Sequence, residues 1–367
     1  MRNTYALINL EYLKNNIIDI RNNFPYQYYL GVIKAKAYGH GWDVIPTMEK
    51  AGINYFCVAT LEEAIEARKY TKLPILCFGF VNTKDINLVI KNHITLSIIS
   101  YNYYQELKEI NPKIKIHLKI NSGMNRFGIK DKEELEKIIN DHTNMEIEGI
   151  YTHLATSGVN DYYYDKQIKN FEEITSAIDL SKIKIVHLFN SLAVARHAKL
   201  KYANGVRLGL MMYGFTYRIN ESKITKIKKK IFPKKISPTM LTNNLHLEKV
   251  LSLYSEVIQI NHVKKGEFVG YRASFIAQND TIIAIIPIGH ADGITKVYKE
   301  VMINQKKYPI ISICMDYIMV EIDNSVKIHD QVDILNNQLT ISNIKEDSPH
   351  HVLVSISERV KRKYKEW

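Results

Sequence analysis

Reactive side chains in this sequence cluster where β-branched runs end. The first cluster is Ile33-Lys34-Ala35-Lys36-Ala37-Tyr38-Gly39-His40-Gly41. Four more follow: Lys119-Ile120-Asn121-Ser122-Gly123-Met124-Asn125-Arg126, then Tyr151-Thr152-His153, then His187 with Asn190-Ser191, and last Arg207-Leu208-Gly209. A lysine, two arginines, a histidine, a hydroxyl and several glycines at one mouth would suit an anionic cofactor held at one end, with a lysine amine as the reactive group. Taken singly, each has a plainer reading. A strand-end lysine is usually surface, Gly39 and Gly41 serve as turn residues, His153 and His187 as structural histidines, and Ser191 as a helix cap. Only their joint spacing argues for chemistry.

That spacing matters only if the strand ends meet. Runs rich in β-branched and aromatic residues read as buried strands at Tyr28–Ala35, Tyr55–Leu61, Pro74–Phe80, Ile94–Tyr101, Lys113–Ser122, Met145–Leu154, Ile183–Ser191 and Val206–Gly214. Amphipathic segments lie between them. Asp131–His142 puts Leu135, Ile138 and Ile139 on one stripe, and Tyr164–Asp179 has similar spacing. Eight strands alternating with helices point to an α/β fold, a TIM-like (β/α)8 barrel, whose functional residues collect at the C-terminal strand ends. From about residue 245 the rhythm becomes mainly β, with strand-like runs at Val250–Val263, Thr281–Ile288, Val301–Ile303, Tyr308–Ile322, Val332–Leu335 and His351–Ser357. The expected domains are therefore a barrel over residues 1–240 and a C-terminal mainly β domain over 241–367. The lysine-rich stretch 218–242 reads as a solvated connector.

Composition narrows the class. At 367 residues and 46% hydrophobic, the chain can bury two cores. The opening MRNTYALINLEYLKNN has no apolar h-region, and no apolar run approaches a membrane span. Cys57, Cys77 and Cys314 are odd in number and lack CxxC spacing, so a reduced cytoplasmic protein without a metal is expected. The net charge of +12 would be the sole argument for nucleic acid, and no reading motif accompanies it. Neither a nucleic-acid nor a membrane partner is expected.

The stretch VIKAKAYGHG resembles the cofactor-lysine signature of the alanine racemase family. The resemblance continues through LKINSGMNRFG, THLATS, FNSLAVA, GVRLGLMMYG, VGYRASF, IPIGHADG and ICMD, in the family's order and over nearly the whole chain. It implies pyridoxal 5'-phosphate as cofactor, a small amino-acid substrate, and a head-to-tail homodimer with active sites shared between subunits. By this resemblance Lys34 carries the cofactor and serves one face of the substrate, handling the D-antipode. Tyr271 would serve the other face from the partner subunit, handling the L-antipode. Inversion requires two such groups across a planar centre. A phenol ordinarily titrates at about 10, so cationic or hydrogen-bonding neighbours are needed, and His153 and Arg207 match the family residues that supply them. Arg207 also matches the arginine facing the pyridine nitrogen. Arg126 matches the residue on the cofactor's phenolic oxygen and the substrate carboxylate, and Lys119 matches a lysine carbamylated in many members. Tyr38, Asn190, Ser191 and the backbone around Gly209 correspond to cofactor contacts, the phosphate's among them. Met315 and Asp316 correspond to the partner-subunit segment lining the substrate carboxylate pocket.

Five departures bear on substrate choice. The family's asparagine after the cofactor lysine is Lys36, the entrance tyrosine is His290, and a Pro-Tyr-Glu run is Pro349-His350-His351. RVPR is RVKR at Arg359–Arg362, and Ile311-Ser312-Ile313 replaces a segment that usually carries an arginine. Because a pocket separates substrates one methylene apart by only about 1–3 kcal/mol, activity beyond alanine is expected, with serine the first candidate. The rival within the fold is a decarboxylase of basic amino acids or diaminopimelate, against which Arg207 and Tyr271 discriminate. A lone-barrel cofactor carrier is disfavoured by the β domain.

Overall fold

Strands of a parallel barrel are covered by helices outside and by side-chain layers inside, so they must be apolar on both faces. The computed structural model describes residues 2–157, 161–215, 245–336, 339 and 349–366. After β1 (Tyr5–Asn9) come β2 (Tyr28–Val32), β3 (Tyr55–Val58), β4 (Ile75–Cys77), β5 (Ile94–Ile98), β6 (Lys115–Lys119), β7 (Glu146–Tyr151), β8 (Ile185–Asn190) and β9 (Gly205–Leu208). β2 to β9 pair in chain order, and β9 closes on β2 to complete a barrel. β3, β4, β5 and β9 are buried at every residue. Caps start the helices promptly. Thr60, Ser100 and Asp131 accept from the backbone N–H three residues on, at 3.3, 3.1 and 2.8 Å, the geometry of an N-cap.

The contacts divide the chain into two units. One holds residues 14–37 and 42–247, the barrel; the other holds residues 1–13, 38–41 and 248–367. Within the second unit lie β10 (Leu251–Glu256), β11 (Gln259–Val263), the hairpin β12 (Phe268–Val269) and β13 (Phe275–Ile276), then β14 (Thr281–Ile286), β15 (Glu300–Ile303), β16 (Lys306–Ile313), β17 (Ile318–Ile322), β18 (Gln331–Leu335) and β19 (Lys361–Lys365). The sheet order is β11-β14-β17-β16-β15-β18-β10-β1-β19. β1 runs antiparallel to β10 and parallel to β19, so its residues, read from the sequence as part of the barrel, are strand partners in this sheet. The expected connector 218–242 lies outside the described residues.

One expected strand is a helix. His351–Ser357 is β-branched in composition, yet Pro349–Ser355 is helical. Val352, Leu353 and Ile356 are all buried, a spacing that faces one side of a helix and both sides of a strand. Tertiary burial outweighs β-propensity here. Among the described residues no helix is long and apolar enough to cross a membrane.

Candidate active site

Lys34 follows the first barrel strand, and its turn is unusual. Ala35, Lys36, Ala37 and Tyr38 all have positive φ, between 51° and 54°. Left-handed backbone costs L-residues about 1–2 kcal/mol each, and strain of this kind gathers at functional sites. The turn is tied down. Glu63 accepts from the N–H groups of Ala35 and Ala59 at 2.7 and 2.8 Å, and Ala37 N–H donates to the Ile33 carbonyl at 2.8 Å. Gly41 has φ 96°, and a Cβ there would overlap the Tyr364 hydroxyl. The Lys34 side chain reaches solvent, but partial burial and the Arg126 guanidinium still lower its pKa, with Glu63 opposing.

Around this lysine the barrel mouth is cationic. His153 is held down to about 3 by burial and by Arg207, Arg126, Lys119 and Lys34, so it is a neutral imidazole near pH 7. A neutral ring can be a hydrogen-bonding neighbour for the phenol but not a cationic one. Lys119 is 5% exposed and lowered to about 8 by burial and by Arg126 and Arg207. Its ammonium lies over the rings of Phe127 and Tyr151, at 5.3 and 5.8 Å. Arg207 is buried; desolvation lowers it to about 10, so it remains a cation. Its Nη2 donates to the carbonyls of Thr152 and Leu188 at 2.8 and 2.9 Å. Its Nη1 donates to the His187 carbonyl and to His187 Nδ1, the latter at 2.9 Å. Of the five N–H donors of an arginine, the one on Nε remains.

The ends of β8 and β9 are stitched together. Gly209 N–H donates to Ser191 Oγ at 2.8 Å, which leaves the serine its own hydroxyl proton to donate. Asn190 Oδ1 caps the short helix Ser191–Val194 through the Ala193 N–H, and its amide donates to Ser157 Oγ at 2.7 Å. Asn190 is thus largely committed to structure.

The remaining site residues belong to the other unit. Tyr38 is buried, with its ring centroid 5.6 Å from that of His350. Tyr271 is 72% exposed and sits between β12 and β13 in a strained turn, with Arg272 at φ 60° and Ala273 at φ 48°. The hairpin is backed by Val269 and Phe275 packed with Ile283 and Met319. Ser312, one of the departures, donates or accepts at 3.2 Å with Ser274 in that turn. Met315 is 57% exposed, and Asp316 pairs with Arg359 at 2.8 Å. Asp292, with a fully buried side chain, ties this edge together by binding Arg2, the Gly289 N–H at 3.0 Å and Arg359 at 3.6 Å.

Burial alone would raise the Asp292 pKa, but Arg2, Gly289 N–H and Arg359 outweigh it and hold the value low. Its stabilisation is therefore complete above the unfolded carboxylate range near pH 4 and is lost as pH falls through the lower folded value. Asp292→Ala should cost about 2 kcal/mol at pH 7. That is less than for a fully buried pair, because the guanidiniums it frees are partly solvated. Urea unfolding would measure the loss, and the gap to wild type should narrow toward acid pH.

Sequence reasoning overlooked Glu148 and His117 inside the barrel, both buried. The signal was present: Lys115-Ile-His117-Leu-Lys119 alternates polar and apolar residues in a strand that burial on both faces should make apolar throughout.

Comparisons with known proteins give the family. The family description "Alanine racemase, N-terminal domain" matches residues 8–217, and "Alanine racemase, C-terminal domain" matches residues 250–364. The chain belongs to the alanine racemase family. It is 30% identical to the alanine racemase of Listeria monocytogenes serotype 4b over 99% of this chain and 98% of that one. It is similar to the alanine racemase structure of Clostridium difficile 630, with a TM-score of 0.87 and 32% identity over 99% of this chain and 95% of that one. It is also similar to that of Bartonella henselae with covalently bound pyridoxal phosphate, with a TM-score of 0.81 and 25% identity over 98% and 99%.

Proposed function

We propose that this chain interconverts L- and D-alanine with pyridoxal 5'-phosphate, using Lys34 and Tyr271 as the two acid/base groups. The reading is carried by one observation: a lysine on a strained turn at the end of a barrel strand, which together with Arg207, Arg126 and Lys119 bears on His153, in a chain matching both family domains. Those residues fit an anionic phosphorylated cofactor. Four cationic side chains bear on His153, and an anion seated among them offsets their repulsion. Arg207 Nε offers a donor to a ring nitrogen, and Ser191 offers a hydroxyl proton to a phosphate. When bound, the cofactor supplies a sink for the electron pair left by the departing α-proton.

The protein's own groups do the rest. Lys34 Nζ would hold the cofactor, and its amine, lowered in pKa by burial and Arg126, would take or return a proton on one face. Tyr271 Oη of a second copy does the same on the other. Arg126 orients the carboxylate, and Met315 and Asp316 of the second copy line its pocket. Arg207, a buried cation, would discourage protonation of the ring nitrogen and so limit side reactions. Tyr38 and Asn190 are carried as further cofactor contacts by resemblance to the family alone. Alanine is favoured over the serine and decarboxylase readings by the names of the relatives. A cytoplasmic homodimer completes the proposal, in keeping with three free cysteines.

The test is D-alanine formation from L-alanine by the purified protein with added cofactor, run beside serine. No D-alanine with cofactor present would overturn the reading, and serine turned over as fast as alanine would reopen the substrate. Lys119 adds a separate expectation. A lysine lowered to about 8 presents far more neutral amine near pH 7 than one near the usual 10.4. Neutral amine adds carbon dioxide to give a carbamate and one proton. Protein equilibrated with 13C-bicarbonate should show a carbamate carbon that Lys119→Ala removes, strengthening as pH rises toward 8. Lys119→Ala should lose about tenfold in kcat/KM through Arg126. No such carbon and unchanged kinetics would leave Lys119 merely buried.

A further inference from the structure

Beneath Arg207 the barrel interior holds a line of polar groups where branched apolar layers are usual. Arg207 Nη1 lies 2.9 Å from His187 Nδ1, and His187 Nε2 lies 2.9 Å from His117 Nδ1. His117 Nε2 then faces Glu148 Oε2 at 3.6 Å and the Tyr55 hydroxyl at 3.5 Å. The other carboxylate oxygen takes both Lys115 and Lys184, at 2.7 and 2.8 Å, while Tyr55 donates to Oε2 at 2.9 Å. His117, His187, Glu148 and Arg207 are each at most 3% exposed. Gly149 makes room for the line, since a Cβ there would stand 2.5 Å from the His117 ring.

Donor and acceptor roles along this line are forced. A guanidinium only donates, so His187 Nδ1 must be a lone pair and, in the neutral ring, Nε2 carries the proton. That proton requires a lone pair on His117 Nδ1, which puts the His117 proton on Nε2, facing an acceptor. The Tyr55 hydroxyl at 3.5 Å and the Glu148 carboxylate at 3.6 Å stand there, and Glu148 is the anion of the two. Burial raises its pKa, but the bonds from His117, Lys115, Lys184 and Tyr55 outweigh this and keep it ionised. Both imidazoles are correspondingly held neutral, mainly by burial.

We propose that Glu148 and His117 are positioning residues for Arg207: a proton-ordered relay through the barrel keeps His187 an acceptor and so fixes the guanidinium at the mouth. The catalytic consequence rests on the reading of Arg207 given above; the order of the protons does not. Glu148→Gln tests both. Its amide can turn a donor toward His117 Nε2, which reverses both tautomers and sets an N–H of His187 against an N–H of Arg207.

In the full-length protein with 15N-labelled histidine, wild type should show His117 and His187 neutral and protonated on Nε2 at pH 7, with and without cofactor. Glu148→Gln should move both protons to Nδ1 and lower kcat about tenfold or more, with KM within about threefold. Glu148→Asp keeps an acceptor and should retain the wild-type tautomers. A residue needed only for packing would lower the melting temperature in both variants and leave the imidazole pattern alone. A proton on Nδ1 of either wild-type histidine, or a charged ring, overturns the relay even should Glu148→Gln fail to fold. Reversed tautomers with unchanged kcat overturn the positioning role. Full activity in Lys34→Ala would instead defeat the active-site reading, with the tautomer pattern standing.

Discussion

Lys34→Ala should lower the rate of D-alanine formation by about 10³-fold or more, because it removes both the group that carries the cofactor and the base on one face. The side chain reaches solvent, so folding stability should stay within about 0.5 kcal/mol of wild type. The loss can thus be assigned to chemistry rather than unfolding. Lys36→Ala, two residues on, is the control and should stay within about threefold. A fully active Lys34→Ala beside an inactive Lys36→Ala would show that the cofactor sits on the other lysine of this turn.

Tyr271→Phe removes one oxygen from a ring that is 72% exposed, and racemisation should fall about 10²–10⁴-fold, the range for losing a positioned acid or base. The deficit should be one-sided. With Lys34 intact, the α-hydrogen of D-alanine should still exchange with deuterated water by proton NMR, while that of L-alanine should not. Equal loss of both exchanges would mean that the phenol does not serve a face of its own. The assembly can be tested with the same two variants. Mixed under conditions that exchange subunits, Lys34→Ala and Tyr271→Phe chains should recover about a quarter of wild-type activity. Half the dimers would then be mixed, each with one of its two shared sites intact. If lysine and tyrosine of one chain served the same site, mixing would restore nothing.

Much of this was legible in the residues alone. Period-two and period-3.6 patterns separate the barrel from the β unit, since burial on two faces and burial on one leave different alternations. Strand ends then select Lys34, Lys119, His153, Ser191 and Arg207, because a parallel barrel gathers those ends at one mouth. What escaped was set by partners distant in the chain. β19, Lys-Arg-Lys-Tyr-Lys, has no apolar signature and is a strand through its pairing with β1. Pro349–Ser355 is helical through the face that Val352 and Leu353 bury. The left-handed run after Lys34 defies local preference, as strained backbone must.

The chemistry available to this chain was decided by its sequence, because amine, phenol and guanidinium are properties of residue types, and periodicity suffices to place them at strand ends. Protonation and orientation were decided only by the folded chain. A neutral His153, a lysine at 119 lowered to about 8 and the ordered imidazoles of His117 and His187 arise from burial and from charges brought close across many residues. Both effects depend on distance in space, which a linear order of residues does not contain.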